Sequence, residues 1–99
     1  MSERIVRQVT IRGRVQGVGY RDWTRYVARE RGIEGWVRNR RDGSVEAVFA
    51  GTRDAVAGMV LACRTGPPNS VIESIDEREA TATYFELRGD KSFSILKTE

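Results

Sequence analysis

The stretch best suited to chemistry lies near the amino terminus and reads Gly13-Arg14-Val15-Gln16-Gly17-Val18-Gly19-Tyr20-Arg21. It leaves an apolar alternating run and ends where a helical pattern begins. Glycine tolerates backbone angles that other residues avoid, so this loop can turn successive N–H groups toward one point. A helix that starts there adds unpaired N–H donors and the positive end of its dipole. These features predict a site for an anion, most simply a phosphate.

Arg21 stands where that helix is expected to begin. Its guanidinium presents a planar fork of donors that matches phosphate oxygens. A cation at a helix amino terminus is mildly unfavourable for the dipole, a cost that a bound anion would offset. The glycines alone leave a second interpretation open, in which the loop is a structural turn followed by an ordinary surface arginine.

Asn39 is the second candidate, in the stretch Gly35-Trp36-Val37-Arg38-Asn39. Strand alternation groups its side chain with those of Ile33 and Val37, on the side expected to face the helices and the loop. The alternative is an asparagine at a strand end that satisfies backbone groups of a hairpin, which is a common role.

Several other kinds of site are excluded by what the sequence lacks. It contains no histidine and one cysteine, which excludes a histidine base, a phosphohistidine intermediate and metal sites built on imidazole or thiolate clusters. Neither a Walker A loop nor a G-x-G-x-x-G dinucleotide fingerprint occurs. Cys63 has Asn69 six positions later instead of the arginine of a cysteine phosphatase loop, and it lies on an apolar helical stripe. We therefore expect Cys63 in the core, and no metal or cofactor.

Length and composition predict one small domain over residues 1–99. The chain has 39% hydrophobic and 31% charged residues, with a net charge of +3. That modest excess mildly favours anionic ligands without requiring nucleic acid. No apolar run reaches the roughly 18–20 residues that span a bilayer, and no secretory signal is visible. The single cysteine suits a reducing compartment, so we expect a cytoplasmic protein with no membrane partner. A monomer is the simplest expectation.

The elements that must position these residues follow from periodicity and from turn residues. The pattern predicts a strand over 5–13, a helix over 21–31 ended by Gly32, a strand over 33–40, a turn over 41–43, a strand over 44–51, a helix capped by Thr52 that stops near 66–68, a strand over 71–78 and a short strand over 93–96. The first helix is expected to bury Trp23, Tyr26, Val27 and Ala28. Residues 80–92 are ambiguous, and within them residues 82–87 could be a strand extension or an irregular loop. The order predicts an α+β fold of the ferredoxin-like, split β-α-β type, a mostly antiparallel sheet with two helices on one face.

The two motifs together resemble the acylphosphatase family. The resemblance runs from about residue 7 to the last strand, and it rests on Gly13-x-Val15-Gln16-Gly17-Val18-x-Tyr20-Arg21 followed by Gly35-Trp36-Val37-x-Asn39 and Asp42-Gly43. It implies the same ferredoxin-like fold and hydrolysis of the carboxyl–phosphate bond of acyl phosphates, without metal or cofactor. The substrate would be a small acyl phosphate, and inorganic phosphate would be a product.

The resemblance also implies residue roles. Arg21 would bind the phosphate and Asn39 would orient the attacking water. The backbone N–H groups of Gln16, Gly17, Val18, Gly19 and Tyr20 would form the phosphate cradle. Arg40 stands where some members carry a small hydroxyl residue, and a long cation there could change how water or substrate is held.

Two other functions are weighed against this one. Ferredoxin-like sheets also bind RNA through aromatic residues on an open sheet face. Here that outer face would present Thr10, Arg12, Trp36, Arg38, Glu46 and Val48, of which Trp36 alone is aromatic. The remaining possibility is a domain that binds a phosphate ligand without turning it over.

Overall fold

A five-stranded sheet forms the centre of the molecule, and the computed structural model describes residues 3–99. The elements in chain order are β1 Arg4–Arg14, α1 Tyr20–Glu30, β2 Glu34–Asn39, β3 Val45–Thr52, α2 Arg53–Cys63, β4 Val71–Glu79, α3 Ala82–Phe85, a 3₁₀ turn Glu86–Arg88 and β5 Phe93–Ile95. The strand order is β4-β1-β3-β2-β5, and only the β2–β5 pair is parallel. This confirms the predicted ferredoxin-like α+β fold.

Both long helices cover one face of the sheet. α1 lies over β2 and β5, and α2 lies over β1 and β3. The inward positions at the centre of the sheet are fully buried beneath them, as alternation requires. They include Val9, Ile11, Val37, Val45, Ala47 and Phe49. The predicted stripe of α2 is confirmed, and Cys63 is a buried, free core cysteine.

The set of side chains that α1 turns toward the core differs from the prediction at Tyr26. Ala28 is buried and Trp23 and Val27 pack against the core, but Tyr26 is 66% exposed. The inward stripe is instead completed by Tyr20 and Thr24, at i, i+4 and i+8 with Ala28. Thr24 can be buried because its hydroxyl donates to the Tyr20 carbonyl at 2.8 Å. Including Tyr26 in the stripe was wrong.

Residues 82–87 were expected to extend a strand or form an irregular loop, and both expectations are wrong. They contain the four-residue helix α3, capped by the Thr81 hydroxyl that accepts from the Tyr84 N–H at 3.1 Å, and the start of the 3₁₀ turn. α3 packs on the outer face of the sheet, where Phe85 joins Trp36, Val48 and Ala50 in a second buried cluster.

The outer face is therefore not the open aromatic platform that RNA binding would need. Trp36 is fully buried, and its indole N–H donates to the Tyr84 carbonyl at 2.8 Å. Beside it, Glu46 accepts hydrogen bonds from Arg38, Arg40, Gln8 and Tyr84 at 2.5–3.1 Å. No helix in residues 3–99 is long and apolar enough to span a bilayer.

The pairing of β2 with β3 depends on the absence of a side chain at Gly35. Its φ is +145°, and a Cβ atom there would lie 1.8 Å from the Val48 carbonyl oxygen. To make room for that Cβ, the main chain of β3 would have to move away from β2, which would separate the two strands.

We predict that Gly35→Ala destabilises the fold by about 3 kcal/mol or more, since it combines backbone strain with a clash against main chain. Gly43→Ala is the matched control, because φ there is +95° but no atom of the described residues 3–99 lies within 4 Å of the added Cβ. It should cost about 1 kcal/mol. Urea unfolding of both variants measures the difference, and equal losses would refute the close approach as the cause.

Candidate active site

The glycine-rich loop has the geometry of an anion cradle. Gly17 and Gly19 have φ values of +75° and +80°, and Gly19 is the left-handed amino-terminal cap of α1. No side chain in residues 3–99 caps this helix. Within residues 3–99, none of the backbone N–H groups of residues 16–20 donates to a protein acceptor; the Trp23 N–H, bonded to the Gly19 carbonyl at 3.0 Å, is the first in α1 to do so. These donors are free to bind a ligand.

Arg21 lies in the first turn of α1 and lines the same space as the loop. It is half-buried, and no carboxylate within residues 3–99 pairs with its guanidinium. The neighbouring Asp22 is paired instead with Arg25, at 3.2 Å. The fork of donors on Arg21 is therefore available for an anion beside the loop.

Asn39 ends β2 opposite Val45 and lines the cavity from the other side. Its side chain makes no hydrogen bond within the described part of the chain. Asp42 caps the hairpin instead: its Oδ1 accepts from the Ser44 N–H at 2.9 Å and from the Ser44 hydroxyl at 2.7 Å. The interpretation of Asn39 as a residue that satisfies hairpin backbone groups is therefore wrong.

One cavity of about 240 Å³ brings these groups together. That volume suits a small ligand, because drug-sized ligands occupy pockets of about 300–1,000 Å³. Its lining includes Gln16, Gly17, Gly19, Tyr20, Arg21 and Asn39, together with Val15, Asp22 and Ile95. Val18 alone among the predicted site residues does not line it, because its side chain packs against the core.

Tyr20 lines the cavity, but its hydroxyl group is engaged elsewhere. Its side chain is 2% exposed, and the phenol donates to the Cys63 carbonyl at 2.7 Å. Burial raises the pKa of Tyr20 far above its ordinary value. Burial also raises the pKa of Cys63 to about 12. Both groups remain protonated at neutral pH, so neither is suited to act as a base or a nucleophile.

Arg40 does not reach the cavity. Successive strand residues point to opposite faces, and the Arg40 guanidinium bonds Glu46 on the outer face at 3.1 Å. Burial opposes ionisation of Glu46, but hydrogen bonds from Tyr84 and Arg38 and the nearby charges outweigh it and hold its pKa below the ordinary value. The carboxylate therefore stays ionised and holds the Arg40 guanidinium on the outer face of the sheet.

The sequence pattern predicts a role for the Gln16 backbone N–H but not the hydrogen bonds that its side chain makes. Its Nε2 donates to the Arg40 carbonyl at 2.8 Å and to the Ser44 carbonyl at 2.9 Å, and these two residues flank the turn of the hairpin. No local pattern signals this contact, because it depends on how the loop packs against a hairpin more than twenty residues away.

No group of three or more acidic, cysteine or histidine side chains suited to hold a metal ion occurs in residues 3–99.

The family model and the curated relatives that match this chain agree on one family. The family model described as Acylphosphatase matches residues 7–95. An acylphosphatase of Bradyrhizobium diazoefficiens is 58% identical over 96% of this chain and 97% of its own. One from Natronomonas pharaonis is 53% identical over 98% of this chain and all of its own. The crystal structure of acylphosphatase from Bacillus subtilis superimposes with a TM-score of 0.82 at 36% identity, over 93% of this chain and 98% of that one.

We predict that Asp42 stabilises the hairpin that carries Asn39 in a pH-dependent manner. The two hydrogen bonds from Ser44, with Arg12 nearby, lower the pKa of Asp42 to about 2. An unfolded aspartate has a pKa of about 3.9. The contribution is therefore complete above about pH 4 and is lost as the pH falls toward 2.

Asp42→Ala should accordingly lower the melting temperature at pH 7. The gap in melting temperature between this variant and the wild type should narrow as the pH falls from 4 to 2. Thermal melts across this range provide the measurement. A gap that stays constant with pH would show that the charge of Asp42 is not the stabilising feature.

Proposed function

This chain belongs to the acylphosphatase family, and from that premise we propose how it hydrolyses the carboxyl–phosphate bond of acyl phosphates. The substrate phosphoryl group occupies the loop, where the backbone N–H groups of residues 16–20 and the fork of Arg21 donate to its oxygens. The observation that carries this proposal is the cavity of about 240 Å³, in which donors without protein partners face Asn39.

Charge stabilisation is the main task of such a site. Phosphoryl transfer passes through a loose transition state with charge spread over three equatorial oxygens. Donors that are already aimed at those oxygens cost no reorganisation when the charge develops. Arg21 and the loop amides supply this set, and the start of α1 adds the positive end of its dipole.

Asn39 holds the attacking water in line with the bond that breaks. Its carboxamide oxygen accepts a hydrogen bond from the water across the cavity from Arg21. The water oxygen forms the new bond to phosphorus, and the bond between phosphorus and the acyl oxygen breaks, with its electron pair leaving on the carboxylate. The protons of the water pass to the phosphate product and to solvent.

The chemistry explains why so few side chains suffice. A carboxylate is a stable leaving group, so its departure needs little help from a general acid. The buried phenol of Tyr20 is not required, and the reaction needs no metal or cofactor to stabilise the leaving group. Since every residue of the proposed site comes from one chain, we also propose that residues 1–99 act as one domain and as a monomer.

Arg21→Ala is predicted to lower kcat/KM for acetyl phosphate by at least about 10²–10³-fold, the loss found when one charge-stabilising donor is removed. Arg21→Lys should also be poor, because a point charge cannot reproduce the planar fork. The exposed Arg64 provides a control, since Arg64→Ala changes the net charge equally and should retain activity. Assays run beside a blank without protein, with and without a chelator. Full activity in Arg21→Ala, phosphate binding without turnover in the wild type, or inhibition by the chelator would each contradict the proposal.

Asn39→Ala is predicted to lower kcat by about 10²-fold or more, because a misplaced reactant costs that much. Phosphate binding should change little, since the cradle and Arg21 remain. The inhibition constant for inorganic phosphate measures this directly. Were it to rise in step with the lost activity, Asn39 would be a phosphate ligand and its role in orienting water would be wrong.

A further inference from the structure

The side chain of Gln16 joins the phosphate loop to the hairpin that carries Asn39. Its Nε2 donates to two carbonyl oxygens, those of Arg40 and Ser44, at 2.8 and 2.9 Å. Only the NH₂ end of a carboxamide can donate to two carbonyls, so the orientation of this amide is fixed. The NH₂ group therefore donates one hydrogen to each carbonyl.

The two carbonyls lie at the point where the hairpin closes. The Arg40 N–H donates to the Ser44 carbonyl at 2.8 Å, and this bond closes the turn. Asn39 and Val45, the neighbours of Arg40 and Ser44 in sequence, form the last residue pair between β2 and β3. Gln16 therefore holds the main chain at the residue next to Asn39.

No other side-chain hydrogen bond spans this gap in residues 3–99. Gln16 is the only residue of the stretch 15–19 whose side chain bonds to the stretch 39–44. The nearest parallel contact is the exposed pair of Arg12 and Asp42 at 3.3 Å, which starts from β1 and not from the loop. The pairing of β1 with β3 and of β3 with β2 keeps the ends of both segments near each other, and Gln16 adds a side-chain link from the loop itself to the residue after Asn39.

We propose that Gln16 is a positioning residue, which sets the distance between the phosphate cradle and the water held by Asn39. The inference rests on the proposed function of Asn39 and adds a role for the Gln16 side chain that is separate from the backbone N–H of the same residue. Hydrolysis needs the water in line with the phosphorus, and a displacement of about 1 Å can cost 10²-fold in rate. The cradle keeps its own shape through Gly17, Gly19 and the start of α1, whether or not Gln16 reaches the hairpin.

Gln16→Met tests the proposal, because methionine has a similar length and volume but no donor. We expect kcat for acetyl phosphate to fall about 10–100-fold, while the inhibition constant for inorganic phosphate changes less than about 3-fold. Gln8→Met is the matched control. Gln8 also donates to two acceptors, Thr10 and Glu46, but on the outer face away from the cavity. It should keep kcat within about 3-fold of wild type, whatever it does to the melting temperature.

A double-mutant cycle separates positioning from a general structural role. If Gln16 acts by placing Asn39, then Gln16→Met should cost less than about 3-fold further in an Asn39→Ala background. Independent, multiplying losses would overturn the proposal. So would a phosphate inhibition constant that rises in parallel with the loss of kcat, because Gln16 would then act on the cradle itself.

Gln16→Asn keeps the experiment decisive if the methionine variant fails to fold. It retains the NH₂ group but is one methylene too short to reach both carbonyls, so it should show the same split between kcat and phosphate binding. Wild-type activity in this variant would refute the proposal. Failure of the wild-type chain to hydrolyse acetyl phosphate would instead refute the proposed function, so the two failures are distinguishable.

Discussion

The register of β2 against β3 is the constraint on which the site depends. Successive side chains on a strand point to opposite faces, so a slip of one residue would exchange every inward residue for an outward one. In the observed register Asn39 pairs with Val45 and faces the cavity. The close approach at Gly35 holds this register, because only a residue without a Cβ fits against the Val48 carbonyl. A glycine four residues upstream of Asn39 thus decides which face receives its carboxamide.

The two long helices of this chain begin in opposite ways, and the contrast explains the cradle. α2 has Thr52 as its cap, whose hydroxyl accepts from the Ala55 N–H at 3.1 Å, and Asp54 follows in its first turn. This is the arrangement that stabilises a helix start. α1 also has an acid, Asp22, in its first turn, but its cap is Gly19, and no side chain within residues 3–99 caps it. A capping hydroxyl would occupy the place where an anion can bind, so the start of α1 gives up stability to keep its donors free.

Sequence reasoning succeeded where the signal was local. The glycines of the loop, the Thr52 cap and the Asp42-Gly43 turn each act within a few residues, and all three lie in the structure as predicted. It failed over residues 82–87, because a four-residue helix has no periodicity to detect and α3 is held by the packing of its Phe85 on Trp36, Val48 and Ala50. The contact of Gln16 was missed for a related reason, since its partners lie on a hairpin brought near only by folding. Both failures concern contacts between segments distant in sequence.

The ionic cluster on the outer face favours the same register as Gly35. Glu46 accepts from Arg38 and Arg40, which lie on either side of Asn39, so both guanidiniums are held away from the cavity. Arg21 then remains the only cationic residue lining the cavity within residues 3–99. A slip of β2 by one residue would remove these partners from a carboxylate that is only 5% exposed. Uncompensated burial of a charge is strongly unfavourable, so the slipped pairing is disfavoured on the outer face as well as at Gly35. Glu46 thereby keeps the Arg38 and Arg40 side chains on the outer face, away from the cavity.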